Sequence, residues 1–359
     1  MKHLLSVIAA IFIYQVAYSQ VIITAADMPV AGDTLRYSNA SLVGAVISPG
    51  DSGVSQLWNY ALTFQSQGVD TYKTALEVNI LYGLVDPAAY GYKVADSLPI
   101  PGLPVSIQQV YTFFEKTTDS FFAKAFAASI SGVPTPANYS KADAWYYFPL
   151  TYLRSDSSGY ALNISIPGAG GLKRTGARQT RVDGWGMLIT PYHTTPVNCL
   201  RVRSAIHEID SVTFGGFSFG IPVNTVEYKW LATGEHYPAL WVTSTLLTGG
   251  GERITSIRYR DSYRDTTTHP PIDTNVAVRN VTSDKTEVKA FPNPATKGTV
   301  TLDLPASWKT FFIQVYDMQS KEVATFMDQR ELDMRTLPAG QYIARITSGL
   351  NVAYLPIMK

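Results

Sequence analysis

Thr299-Val300-Thr301-Leu302-Asp303-Leu304 alternates polar and apolar side chains, the two-residue period of a strand with one buried face. Its surroundings repeat the signal. Phe311 to Tyr316 is β-branched and aromatic, Asp317-Met318-Gln319-Ser320 turns the chain, and Glu322 to Phe326 reads as the return strand. Leu337-Pro338-Ala339-Gly340 puts a residue of fixed φ ahead of a permissive one, as a sharp turn requires. Gln341 to Ile346 and Ala353 to Met358 then read as two more strands. Upstream, Pro292 and Pro294 fix φ and bias Phe291 and Asn293 away from helix. Residues 289–359 are therefore predicted to be a small Ig-like β-sandwich.

The rest of the chain carries the same period. Trp58, Tyr60, Leu62 and Phe64 alternate with Asn59, Ala61, Thr63 and Gln65. Strands are predicted at Thr34–Tyr37, Leu76–Leu81, Gln108–Glu115, Tyr160–Ile166, Leu200–Ile206, Val226–Trp230, Ala239–Leu246 and Arg253–Arg260. Ser120–Ile130 reads as strand or short helix. Residues 83–105, rich in Pro and Gly, read as a long loop. Asp183-Gly184-Trp185-Gly186 reads as a hairpin turn between Arg178–Val182 and Met187–Thr190. The fold class is all-β: a large β-sandwich or barrel-like body over 20–263, followed by the small sandwich. No fixed repeat argues for a solenoid or propeller.

Composition agrees. Hydrophobic residues make up 46% of the chain and charged residues 16%, with 22 Tyr, 15 Phe and 6 Trp. Aromatics favour half-buried pleated surfaces. A net charge of +1 gives no argument for nucleic acid as a partner. The single cysteine, Cys199, excludes an intramolecular disulfide and reads as a small buried residue. Residues 1–19 read as a signal peptide: Lys2 and His3, an apolar run from Leu4 to Ile13, then Ala17-Tyr18-Ser19 as the cleavage site. No later stretch is long and apolar enough for a membrane-spanning helix. Residues 264–288, polar and Pro-rich around Thr266 to Pro271, read as a linker.

The C-terminal 69 residues resemble the type A C-terminal sorting domain of the type IX secretion system of Bacteroidota. The matching features are Pro292-Asn293-Pro294, the turn at Asp317, the Leu337-to-Tyr342 segment with Gly340, and the closing strand ending in Lys359. Ser320 stands where that family usually has glycine. The resemblance implies export across both membranes, recognition by the type IX machinery, removal of the tail by a sortase-like component, and display on or release from the cell surface. Many cargoes of that system are hydrolases. Residues 181–192 resemble only a segment of uncharacterised secreted proteins, which brings no chemistry.

No motif in the body names a reaction. Gly50-Asp51-Ser52-Gly53 matches a serine-protease nucleophile segment, but the only earlier histidine is His3, and the stretch is a turn by composition. His193, Cys199, His207 and His236 match no compact zinc spacing, so no metal or cofactor is expected. Lys173, Arg174, Arg178, Arg181, Arg201 and Arg203 concentrate positive charge that suits carboxylates or, more simply, a solvated strand face. Trp145, Tyr146, Tyr147 and Trp185 are suited to stacking on sugars, or to the core. Trp145, Tyr146, Trp185, Arg201 and Arg203 are thus the ligand-binding candidates. No catalytic residue is assigned, and Glu208, Asp210, Glu227 and Glu235 are acids whose pairing spacing cannot decide. The expected role is a non-enzymatic module binding glycan or protein. The alternative is a hydrolase.

Overall fold

The structure, a computed structural model, describes residues 21–84, 86–98, 106–166, 170–214, 217–247, 250–262, 288–317, 321–348 and 351–359. The predicted signal peptide and nearly all of the predicted linker lie outside these residues. So does most of the Asp317–Ser320 turn.

The body strands are β1 Thr34–Ala40, β2 Gly53–Asn59, β3 Phe64–Thr71, β4 Lys73–Thr74, β5 Tyr90–Ser97, β6 Ile107–Lys116, β7 Ser120–Ile130, β8 Val133–Tyr147, β9 Ser155–Ile166, β10 Gly170–Ile189, β11 Val197–Phe214, β12 Phe217–Ala232, β13 Leu240–Leu246 and β14 Glu252–Arg260. They form one sheet in the order β3-β1-β14-β13-β12-β11-β10-β9-β8-β7-β6-β5-β4, with β2 pairing in parallel to β10 off that path. From β5 to β14 each strand pairs antiparallel with the next in the chain, a meander that curls back on itself. The two ends of the sheet, β3 and β4, are separated only by Tyr72 in the chain, and this brings β3 beside β5. The body is a near-closed barrel rather than a sandwich.

Alternation along the strands fills its interior. Phe114, Phe121, Tyr146, Val182, Val202, Leu231 and Trp241 pack there with Tyr37, Tyr72 and Tyr92. A second cluster lies outside the barrel wall, where the segment through β2 covers it: Trp58, Tyr60 and Leu62 pack on Leu188, Cys199, Tyr228, Trp230 and Tyr259. Cys199 is fully buried, and burial pushes its thiol up.

Three local expectations are corrected. Leu76–Leu81 is not a strand: α1 Ala75–Val78 and α2 Ile80–Gly83 occupy it. The Thr74 side chain accepts from Glu77 N, and Glu77 accepts from Thr74 N, a capping box that starts the helix. The 83–105 loop contains β5, whose Gly91 lies so close to Thr112 O that no Cβ would fit. The Asp183–Gly186 hairpin is absent: β10 runs through it, with a bulge between Val182 and Gly184. A Cβ at Gly186 would fall 2.1 Å from Gln56 O, so this glycine permits the approach of β2 rather than a turn.

The C-terminal region holds β15 Lys289–Phe291, β16 Thr299–Asp303, β17 Phe312–Asp317, β18 Glu322–Met327, β19 Glu331–Asp333, β20 Gln341–Ser348 and β21 Asn351–Met358. A three-stranded sheet, β15-β16-β19, faces a four-stranded one, β18-β17-β20-β21. Val300, Leu302, Trp308, Ile313, Val315, Leu332, Ala344 and Ile346 fill the space between them as a core of their own. This is the small β-sandwich expected.

Candidate functional site

The tail gathers its sequence-predicted residues at one end. Asn293 donates to Pro356 O and accepts from Met358 N, both at 2.8 Å, so the Pro292–Pro294 entry is tied to the last strand. Lys359 and Gly340 exchange two backbone hydrogen bonds of 2.9 Å. The Lys359 ammonium donates to Arg335 O at 2.9 Å and also to Leu337 O. Tyr342 donates to Pro338 O at 2.7 Å and lies opposite Asp317 in the β17–β20 ladder. One contiguous region therefore carries Pro292, Asn293, Pro294, Asp317, Leu337, Gly340, Tyr342 and Lys359. Residues 289–355 match the family described as Secretion system C-terminal sorting domain. The tail is a type IX sorting domain. It marks the chain as cargo of that system, exported to the cell surface or beyond. No curated protein and no solved structure matches the chain.

The body places two groups of paired charged residues inside the barrel. Arg178, from β10, donates twice to Asp143 at 2.8 Å and once to Glu227 at 2.9 Å. Lys229 donates to the same Glu227 oxygen at 3.0 Å. Its ammonium sits 3.9 Å from the Trp145 ring centre and 4.1 Å from that of Trp241. Burial pushes Lys229 down to about 8, against the pull of Glu227. Burial alone would raise the Glu227 carboxyl, but Lys229 and Arg178 outweigh it and hold it below its ordinary value. Further along, Arg174 forks onto Asp210 at 2.7 and 2.8 Å and reaches Glu208 at 3.5 Å. Tyr160 donates to Glu208 at 2.6 Å. Burial raises the Glu208 carboxyl, although Arg174 opposes it.

The predicted ligand set is dispersed among structural contacts. Tyr146 is 4% exposed and packs in the interior. Trp145 and Trp185 are half-buried against the same cluster. Arg201 is 1% exposed. It forks onto Asp183 at 2.9 and 2.9 Å and donates to Pro49 O at 2.6 Å and Asp51 O at 2.8 Å. Arg203 contacts Tyr228 and Glu252 at 3.4 and 3.3 Å. An exposed aromatic strip is not what these residues form. The cationic cluster is likewise not a solvated face: Arg174, Arg178, Arg201 and Arg203 are each ion-paired, and only Lys173 and Arg181 are exposed.

The tempting motifs resolve in the same way. Gly50-Asp51 forms a turn, with Asp51 N donating to Ser48 O, and Arg201 holds it from beneath. His193 faces Glu235, His207 faces Asn224 and His236 faces Asp33. Among the described residues no group of His, Cys, Asp and Glu is placed to hold a metal ion. Nor is any helix among them long and apolar enough to cross a membrane. Sequence reasoning missed Asp70, Lys229, Trp241 and Arg258. Each stands singly in its strand, and only the strand order brings them into one interior.

Proposed function

We propose that this protein is a type IX cargo whose body is a non-enzymatic glycan-binding module, displayed on or released from the cell surface once its tail is removed. In this reading residues 1–19 are the signal peptide, cut between Ser19 and Gln20, and 264–288 is the linker. The observation that carries it is the state of the body's acids. Asp143, Glu227, Asp210 and Glu208 each lie within ion-pair distance of a guanidinium or ammonium group. A general acid or base needs a proton it can exchange, and these carboxylates are engaged in holding the interior together. A hydrolase remains the second reading, favoured by Glu208, whose burial raises it toward the range of a general acid.

Affinity electrophoresis of the purified protein through a polysaccharide panel, with reducing ends assayed in parallel, separates the two. Retardation without sugar release supports the binding module. Release that is lost in Glu208→Gln establishes the hydrolase instead.

A further inference from the structure

The barrel is incomplete at one place. Among the described residues the chain pairs with β5 through β4, just after Tyr72, but β3 itself has its ladder with β1, so no ladder joins β3 to β5. Beside them, between β1, β14 and the tail, opens a cleft of about 330 Å³, within the range of small-molecule sites, with Ser307, Lys309, Thr310 and Ser348 of the tail forming its far wall in the uncleaved chain. Asp70 and Arg258 line it, each 3% exposed. They stand 4.0 Å apart, yet Asp70 Oδ2 and Arg258 Nε and Nη1 have no hydrogen-bond partner. Leaving such groups buried and unmade is costly, so the pair is set up for a third party. Tyr37 also lines it, its ring held between the Arg258 guanidinium at 4.3 Å and Tyr237, which stacks on it at 5.9 Å.

We infer that this seam is the ligand site of the body and that it takes a neutral saccharide residue, whose hydroxyls donate to Asp70 and accept from Arg258. The inference rests on the binding-module reading above and gives it a place. Charge selects the class. A carboxylate and a guanidinium 4.0 Å apart repel anions and cations about equally, whereas one diol satisfies both. The walls agree. Asn39, Gln65 and Ser66 offer neutral groups, with Asn39 donating to Ser66 at 2.9 Å; the Lys93 and Asp96 charges at the rim engage each other at 2.5 Å, and Lys309 of the tail adds a cation to the lining. Burial pushes the Asp70 carboxyl up to about 6, although the Arg258 charge and a hydrogen bond from Tyr237 oppose it.

The test is isothermal titration of the full-length protein with neutral gluco-, manno- and galacto-oligosaccharides, and with glycine as a zwitterionic probe. Arg258→Gln and Asp70→Asn remove the two recognition groups. Ser66→Trp fills the cleft from an exposed position and leaves the interior packing intact. Each is expected to weaken saccharide binding by at least about tenfold, the scale of a lost charged hydrogen bond. Saccharide binding that all three variants retain overturns the seam as the site but leaves the binding module standing. Glycine binding that the variants abolish, without saccharide binding, overturns the ligand class. No binding by any saccharide overturns both readings.

Discussion

Arg201, a recognition candidate by its sequence, is fully engaged by the fold. A guanidinium presents its donors in a fixed fork, and here the fork meets Asp183 on one side and the carbonyls of Pro49 and Asp51 on the other. Tyr228 and Trp230 lie against it, with ring centres 4.9 and 5.6 Å away. Arg201→Leu would leave Asp183 and the carbonyls without donors in a dry pocket. Removing one partner of a buried ion pair costs about 3–5 kcal/mol, so urea unfolding should show a loss of that size. Arg201→Lys restores the charge but not the fork and should recover only part of it. If Arg201 touched ligand instead, the lysine variant would keep its stability and lose affinity. The sequence marked this arginine by its cluster of like charges. It gave no sign of Asp183 as its partner, because Asp183 was read as part of a hairpin.

That misreading belongs to the level of elements. Asp-Gly-Trp-Gly has the composition of a turn, and composition does not distinguish a glycine that bends the chain from one that admits a neighbouring backbone. At Gly186 the second use applies, since β2 runs parallel to β10 with Gln56 opposite it. Gly186→Ala should force the two strands apart and destabilise the protein by about 1–3 kcal/mol, the usual cost of overpacking. Amide exchange measured by mass spectrometry should rise selectively over Gly53–Asn59 and leave β7 and β8 unchanged. Unaltered protection of β2 would show that the approach is not tight. Elsewhere the local signals sufficed. Period-two alternation located most of the body strands, and five tail strands within a residue or two of their observed bounds, while the short β15 and β19 gave no such signal. The short helices carried a Thr74-x-x-Glu77 capping box, which was legible but was outweighed by the apolar run that follows it.

On the scale of the whole molecule, strand order is a long-range property and was legible only where a known pattern fixed it. The tail could be read as a sandwich because its turns and strands recur in one family. The barrel could not, because sandwich and barrel share the same alternation and differ in whether the two ends of the sheet come together. The two parts also keep separate cores. Their apolar junction is small: Ile221 and Val223 of β12 pack with Tyr316, Ile343 and Tyr354 of the tail, and Arg253 lies over Phe312 at 4.8 Å. Full burial of a side chain of this size contributes about 1.5–3 kcal/mol, so the five together are of the same order as the roughly 4–15 kcal/mol that free association costs. The junction can therefore hold while the chain is continuous and fail once it is cut. A protease site introduced between 262 and 288 tests this. Cleavage should yield two folded pieces that elute separately in gel filtration at micromolar concentration, each with its own calorimetric transition. Amide exchange should increase around Ile221–Thr225 and remain as before within β8 to β10. Co-elution after the cut would mean that the tail is bound by more than this junction. Loss of the body's transition would mean that the barrel depends on the tail to stay folded, and that export could not release it intact.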